Sequence, residues 1–205
     1  MKPVMIKMLL MKDIVQERDP EQNKILRKRS EDVSLPLSPE DKNTLISMME
    51  YVLKSQVPAL AEANGLRPAV GLSAPQIGVN RRLFCMSTPD EKNEKLHQYA
   101  VANPKIIASS EEMTYLRSGE GCLSVEEEKN GLVPRAKRIR AKVHLFDLET
   151  GEEGDGVLKL SGYPAIVFQH EYDHLQGILF IDRVVGDMDP SVQPVVFIED
   201  EPTAE

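Results

Sequence analysis

The sequence predicts an α+β domain in which antiparallel β-sheets pack around a central metal-binding helix, with a helical region towards the N-terminus. Three observations predict it. Residues 38–64 carry apolar side chains at helical spacing, and residues 138–147 alternate apolar with charged or polar ones, as a half-buried strand does. From Tyr163 helical spacing returns, and this last segment holds two histidines four residues apart.

The elements follow in order. "SPED" (Ser38–Asp41) reads as an N-cap serine followed by proline at the first helical position. Leu45, Met48, Met49, Val52 and Leu53 then keep helical spacing, Pro58 breaks the segment, and Asn64-Gly65 ends it or a short second helix. "RLFCM" (Arg82–Met86) and "YAVANPKII" (Tyr99–Ile107) are short apolar runs bounded by turn formers, and read as strands. Ile139, Ala141, Val143 and Leu145 alternate against Arg138, Arg140, Lys142 and His144. "ETGEEGDG" turns that strand back into "VLKLSG", giving a hairpin. Pro164 suits the first turn of the last helix and Gly177 its end. Val195–Ile198 reads as one more strand before a frayed acidic tail.

A length of 205 residues suits a single domain spanning 1–205, and 41% hydrophobic with 28% charged residues is ordinary globular composition. The net charge of −8 argues against general affinity for nucleic acid or anionic membrane. Two distant cysteines, Cys85 and Cys122, are too few for a disulfide framework, which points to the cytoplasm. The apolar run Met8–Met11, between Lys7 and Lys12, is too short for a signal-peptide core, and no stretch approaches a membrane span of ~18 apolar residues. A monomer is the default expectation.

In "VFQHEYDHLQGILF" (Val167–Phe180), His170 and His174 share one helix face, so their imidazoles can bind one metal ion. Glu171 lies beside them, placed to take a proton from water bound there. The pattern alone is equally compatible with solvated side chains on an exposed helix; a third ligand decides. Metallopeptidases that extend the motif to Gly and then His find Gly177 in register, but Phe180 where the ligand should be. A downstream glutamate, Glu199, sits in a poor setting for a ligand-bearing helix. Upstream, "SGEGCLSV" (Ser118–Val125) offers Cys122, and one thiolate with two neutral imidazoles suits Fe(II) or Zn(II). Cys85, within an apolar run, reads as an ordinary buried residue. "AVGLSAPQIG" (Ala69–Gly78) contributes Gly71, where an extended substrate backbone can approach, and Gln76, whose amide can donate to an oxyanion. Taken alone, it is equally a loop entering a strand.

Together, "GLSAPQ", "EGCLS" and "HEYDH" resemble, in order, the three signature motifs of peptide deformylase. The resemblance runs from about Ala69 to Asp182, and "DPEQNKILRKRSEDV" (Asp19–Val33) is similar to the family's N-terminal region, with extra residues after Pro20. The first motif departs from the usual G-x-G-L-A-A-P-Q form, with Ala69 for its first glycine and Ser73 for its first alanine. The long interval between the first two motifs and the strand-like C-terminus resemble the longer, type 2 class. The resemblance implies removal of the formyl group from the formylmethionine of new polypeptides. It makes Cys122, His170 and His174 the metal ligands and Glu171 the proton-transfer group. Gln76 and the Leu123 backbone N–H become the oxyanion donors. Fe(II) is the implied native metal, with Zn(II), Ni(II) or Co(II) able to replace it. Val70, Leu123, Tyr163, Ile166 and Val167 are the candidates for a methionine pocket, and Gly71 for backbone pairing with substrate. Formylated nascent chains imply work near the ribosome, although "FIEDEPTAE" is acidic and lacks a basic docking helix. Arg135 is expected to pair with Glu120 and brace the Cys122 loop, while His97, in a polar loop, and His144, on a polar strand face, are expected to have no role.

Overall fold

The computed structural model describes residues 8–126 and 131–198; Glu199 and the acidic tail lie outside them. The first helix, α1 (Pro20–Leu26), starts at Asp19, whose carboxylate accepts from the Glu21 and Gln22 N–H groups. At seven residues it is too short for apolar periodicity to reveal. The second, α2 (Pro39–Ser55), opens as its sequence requires, with Ser38 Oγ accepting from the Asp41 N–H at 3.1 Å. Pro58 both ends that segment and occupies the first turn of α3 (Pro58–Asn64).

Among the described residues seven strands follow: β1 (Gly71–Ser73), β2 (Leu83–Pro89), β3 (Leu96–Ser109), β4 (Met113–Thr114), β5 (Arg135–Ala136), β6 (Arg138–Phe146) and β7 (Glu153–Ser161). Five of them form one antiparallel sheet in the order β1-β2-β3-β6-β7, and β4 pairs with β5 separately. The β6–β7 turn is shorter than expected, because Glu153–Gly156 belongs to β7 and Asp147–Glu152 makes the turn. The last helix, α4 (Gly162–His174), stops three residues before Gly177.

The sheet is covered on both faces. Leu83, Cys85, Ala100 and Ala102 point to α2, where they meet Leu45, Met48, Met49 and Val52. Phe84, Met86 and Val101 point the other way, to Ala165, Val167 and Phe168 of α4. Leu83–Thr88 of β2 is therefore buried without interruption, whereas Ile139, Ala141 and Val143 of β6 alternate with exposed Arg138, Arg140 and Lys142. Cys85 lies fully buried in the α2 core, as an ordinary small apolar residue does.

His144 keeps to the polar face of β6, but it is buried there between Asp155 and Glu153, and Glu153 in turn meets Lys42 of α2. Two expectations are corrected. His97 belongs to β3 rather than a loop, with Nδ1 3.4 Å from the Tyr99 hydroxyl. Val195–Ile198 forms no strand, because its N–H groups go to unrelated segments: Val195 to Tyr115 O at 2.9 Å and Ile198 to Glu91 O at 3.0 Å. No ladder can form on such partners, yet Phe197 still packs edge-on against Tyr163, at 5.1 Å between ring centroids.

Candidate metal centre and substrate cleft

The helix α4 is apolar in its first half, where Pro164–Phe168 are buried, and polar in its second, where Glu171, Asp173 and His174 are buried as well. It begins at Gly162 with φ +58°, a conformation that favours glycine. A β-carbon there would also lie 1.9 Å from Glu91 Oε1, and this carboxylate sits at the helix N-terminus beside the Tyr163 N–H. The glycine and the acid together fix where α4 starts, and so the height of the histidines two turns on.

One ligand atom from each of Cys122, His170 and His174 lies within 4.8 Å of the others. Cys122 Sγ is 3.4 Å from His174 Nε2, and the two imidazole centroids are 5.0 Å apart. A tight turn, in which the Val125 N–H donates to Cys122 O at 3.2 Å, presents the thiol to the helix. Burial holds His174 well below the usual histidine range, so it is neutral and ready to ligate. For His170 burial acts the same way, but hydrogen bonds to Cys122 and Glu120 outweigh it and raise the pKa. One soft and two borderline donors converging in this way fit a divalent transition metal.

The surrounding charges brace this set. Arg135, from β5, meets Glu120 through two hydrogen bonds of 2.8 Å, and Glu120 accepts from His170 Nδ1 at 2.8 Å, which points Nε2 towards the other ligands. Burial would raise the Glu120 pKa, yet Arg135 and His170 hold it down to about 2. The expected Arg135–Glu120 pair is thus present. Arg135 also bonds Asp173 of α4, which takes two further bonds, of 2.6 and 2.7 Å, from Arg183. Sequence reasoning missed Asp173 and Arg183; no spacing rule links a helix to a side chain beyond the turn that ends it. Phe180, in the position where a peptidase would place a ligand, stacks on His170 at 6.1 Å between centroids.

Glu171 is 4% exposed, and its Oε2 has no hydrogen-bond partner among the described residues. Burial pushes its carboxyl up to about 7, the largest influence on it. Gln76 Nε2 faces Cys122 Sγ at 3.3 Å. A cleft of about 390 Å³ joins these groups. It is lined by Cys122, His170, Glu171, Gln76 and Leu123, and by every expected substrate contact: Val70, Gly71, Tyr163, Ile166 and Val167. His174 lies behind it, 1% exposed. Arg67 and Gln56 at the rim were not anticipated, although "LRP" directly precedes the first motif. A β-carbon on Gly71 would lie 2.4 Å from Glu171 Oε1, so this glycine makes room for the carboxylate.

A three-ligand metal position facing a cleft, with a buried carboxylate free to exchange protons, belongs to a metal-dependent hydrolase. Comparison with known proteins says which kind. The profile of the polypeptide deformylase family matches residues 11–189. The peptide deformylase of Halalkalibacterium halodurans is 50% identical over 184 residues, covering 89% of this chain and 95% of the relative. Peptide deformylase 2 of Bacillus subtilis is 46% identical over 178 residues, 86% of this chain and 91% of that protein. The crystal structure of the Thermus thermophilus peptide deformylase superposes with a TM-score of 0.61 at 36% identity, covering 84% of this chain and 85% of that one. The chain belongs to the polypeptide deformylase family. It is a metal-dependent enzyme that removes the N-formyl group from the N-terminal formylmethionine of newly made polypeptides.

Proposed function

We propose that Cys122, His170 and His174 hold one divalent ion, natively Fe(II), with Zn(II), Ni(II) or Co(II) able to occupy the same set. Glu171, Gln76 and Leu123 act on the formyl group. The observation that carries this reading is the meeting of three ligand atoms and a partnerless carboxylate oxygen in one cleft. When bound, the metal supplies positive charge that polarises a carbonyl and acidifies water. Glu171 takes the proton of the attacking water on its carboxylate and passes it to the departing amine. A carboxyl that burial has brought to about 7 serves both transfers near neutrality. The developing oxyanion accepts from Gln76 Nε2 and from the Leu123 backbone N–H, each such donor lowering the barrier by about 3 kcal/mol. The bonds break so that formate leaves and the peptide keeps a free amine.

The methionine side chain lies against Val70, Leu123, Tyr163, Ile166 and Val167, a reading supported by their shared lining of the cleft. Gly71 stands in the edge strand of the sheet, which supports backbone pairing with an extended substrate. The same proposal covers the setting: a single catalytic domain over 1–205, acting as a monomer in the cytoplasm, near the ribosome. Two unpaired cysteines support it, as does the lack, among the described residues, of a helix long and apolar enough to cross a membrane. The long interval between the first two motifs supports the type 2 class; Val195–Ile198, which forms no strand, does not.

The test is formate release from a formyl-Met-Ala-Ser peptide by protein prepared without oxygen, beside Glu171→Ala with its metal content measured. Formate from the wild type alone, at equal metal content, is the expected result. Equal formate from both would remove Glu171 from the chemistry. Cleavage of unformylated peptide would favour a peptidase instead.

A further inference from the structure

Ser73 stands where the family's usual motif has alanine, and its hydroxyl is completely buried. It is not idle there. Ser73 Oγ donates to Gln76 Oε1 at 2.9 Å, and the Ser73 backbone N–H donates to the same oxygen at 2.9 Å. A backbone N–H can only donate, so the amide oxygen must face Ser73 and the NH₂ group must face away. Nε2 is thereby aimed at Cys122 Sγ, 3.3 Å away, with Ser124 Oγ at 3.4 Å. Two donors on the carbonyl fill both of its lone pairs and draw charge from the nitrogen, which makes its N–H groups stronger donors.

We propose that the Ser73 hydroxyl is a positioning residue for deformylation: by holding Gln76 Oε1 it fixes and polarises the amide that meets both the Cys122 sulfur and the oxyanion. This rests on the oxyanion role of Gln76 proposed above. An alanine in its place leaves the amide oriented by the backbone alone, with a weaker N–H and a looser side chain. The hydroxyl therefore acts on the reaction step rather than on substrate binding, and it acts on the metal's sulfur ligand through the same NH₂ group.

The experiment uses Co(II)-loaded enzyme as wild type, Ser73→Ala, Gln76→Ala and the double variant. Two quantities are read: steady-state kinetics on formyl-Met-Ala-Ser, and the thiolate-to-cobalt absorption band. Ser73→Ala removes one oxygen from a packed site, so the fold is kept. Its kcat is expected to fall about three- to tenfold with KM changed less than about twofold, the effect of one hydrogen bond. The band is expected to shift, and on the Gln76→Ala background the loss of the hydroxyl should change neither quantity further. Wild-type kcat and an unmoved band in Ser73→Ala would overturn the inference, as would a full Ser73 effect persisting without Gln76. A Gln76→Ala enzyme that keeps wild-type kcat would overturn the oxyanion reading, and the inference with it.

Discussion

Gly71 and Glu171 are 100 positions apart in the chain (171 − 71), yet the space of one is filled by the side chain of the other. The sequence argues for a glycine at 71 from substrate approach alone, because nothing in a motif shows what lies across from it. A β-carbon at 71 would meet not only Glu171 Oε1 at 2.4 Å but also its Cδ at 2.8 Å and Cγ at 2.9 Å, so the whole side chain would have to shift. Gly71→Ala is therefore expected to cut kcat by about 100-fold by displacing the carboxylate, with metal content unchanged. Kinetics beside metal analysis would show it, and wild-type turnover would mean that the carboxylate moves freely. His144 offers a second prediction at this scale. Burial works to lower its pKa, but hydrogen bonds to Asp155 and Glu153 outweigh burial and raise it. Glu153 is held down to about 2, first by the Leu37 N–H and then by Lys42 and His144, so it stays ionised across the histidine range. A raised histidine contributes stability that is full below its ordinary pKa of ~6.5 and is lost as the pH rises through the raised value. His144→Gln should thus lose more stability against wild type near pH ~5.5 than near pH ~9. Thermal melts at the two pH values read the gap, and an equal gap would take the charge out of the account.

At the scale of elements, one chain of charges joins four segments: the Cys122 loop through Glu120, β5 through Arg135, α4 through Asp173, and the turn beyond it through Arg183. Arg135 is 3% exposed, and removing it leaves buried Glu120 with His170 alone and buried Asp173 with the more exposed Arg183 alone. Arg135→Ala is expected to destabilise by about 3–5 kcal/mol in denaturant titration and to weaken metal retention. The Arg183 side chain is 41% exposed, so Arg183→Ala should cost no more than about 1 kcal/mol. Similar losses from both would show that the two arginines do not divide as their burial implies. These elements were legible to different degrees. Ser38 and Pro39 announce α2, the alternation of β6 names its buried face, and His170 with His174 identifies α4. By contrast, β4 and β5 have two residues each, too few for any period. The burial of His144 was also hidden, since alternation describes one face of a strand and not what later covers part of it.

At the scale of the whole molecule, none of the three metal ligands is a member of the two main cores, one under α2 and one under α4; Cys122 belongs to a smaller third cluster. Removal of the metal by a chelator is therefore expected to abolish turnover while leaving far-ultraviolet circular dichroism unchanged and lowering Tm. Anaerobic Fe(II), or Co(II), should restore both activity and Tm, whereas loss of secondary structure on chelation would make the ion part of the fold. The sheet itself sets a further condition. Its edge strand β1, the place proposed above for substrate pairing, is three residues long and runs directly into a 3-10 turn at Ala74–Ile77 that contains a proline. An edge so short offers little template for the sheet-to-sheet aggregation that longer ones invite, and it has room for only a few residues of extended chain. A polypeptide whose first residues are already paired within its own structure has no backbone left to offer there. Deformylation at such an edge is thus a race against the folding of the substrate, won only while the new N-terminus is still loose.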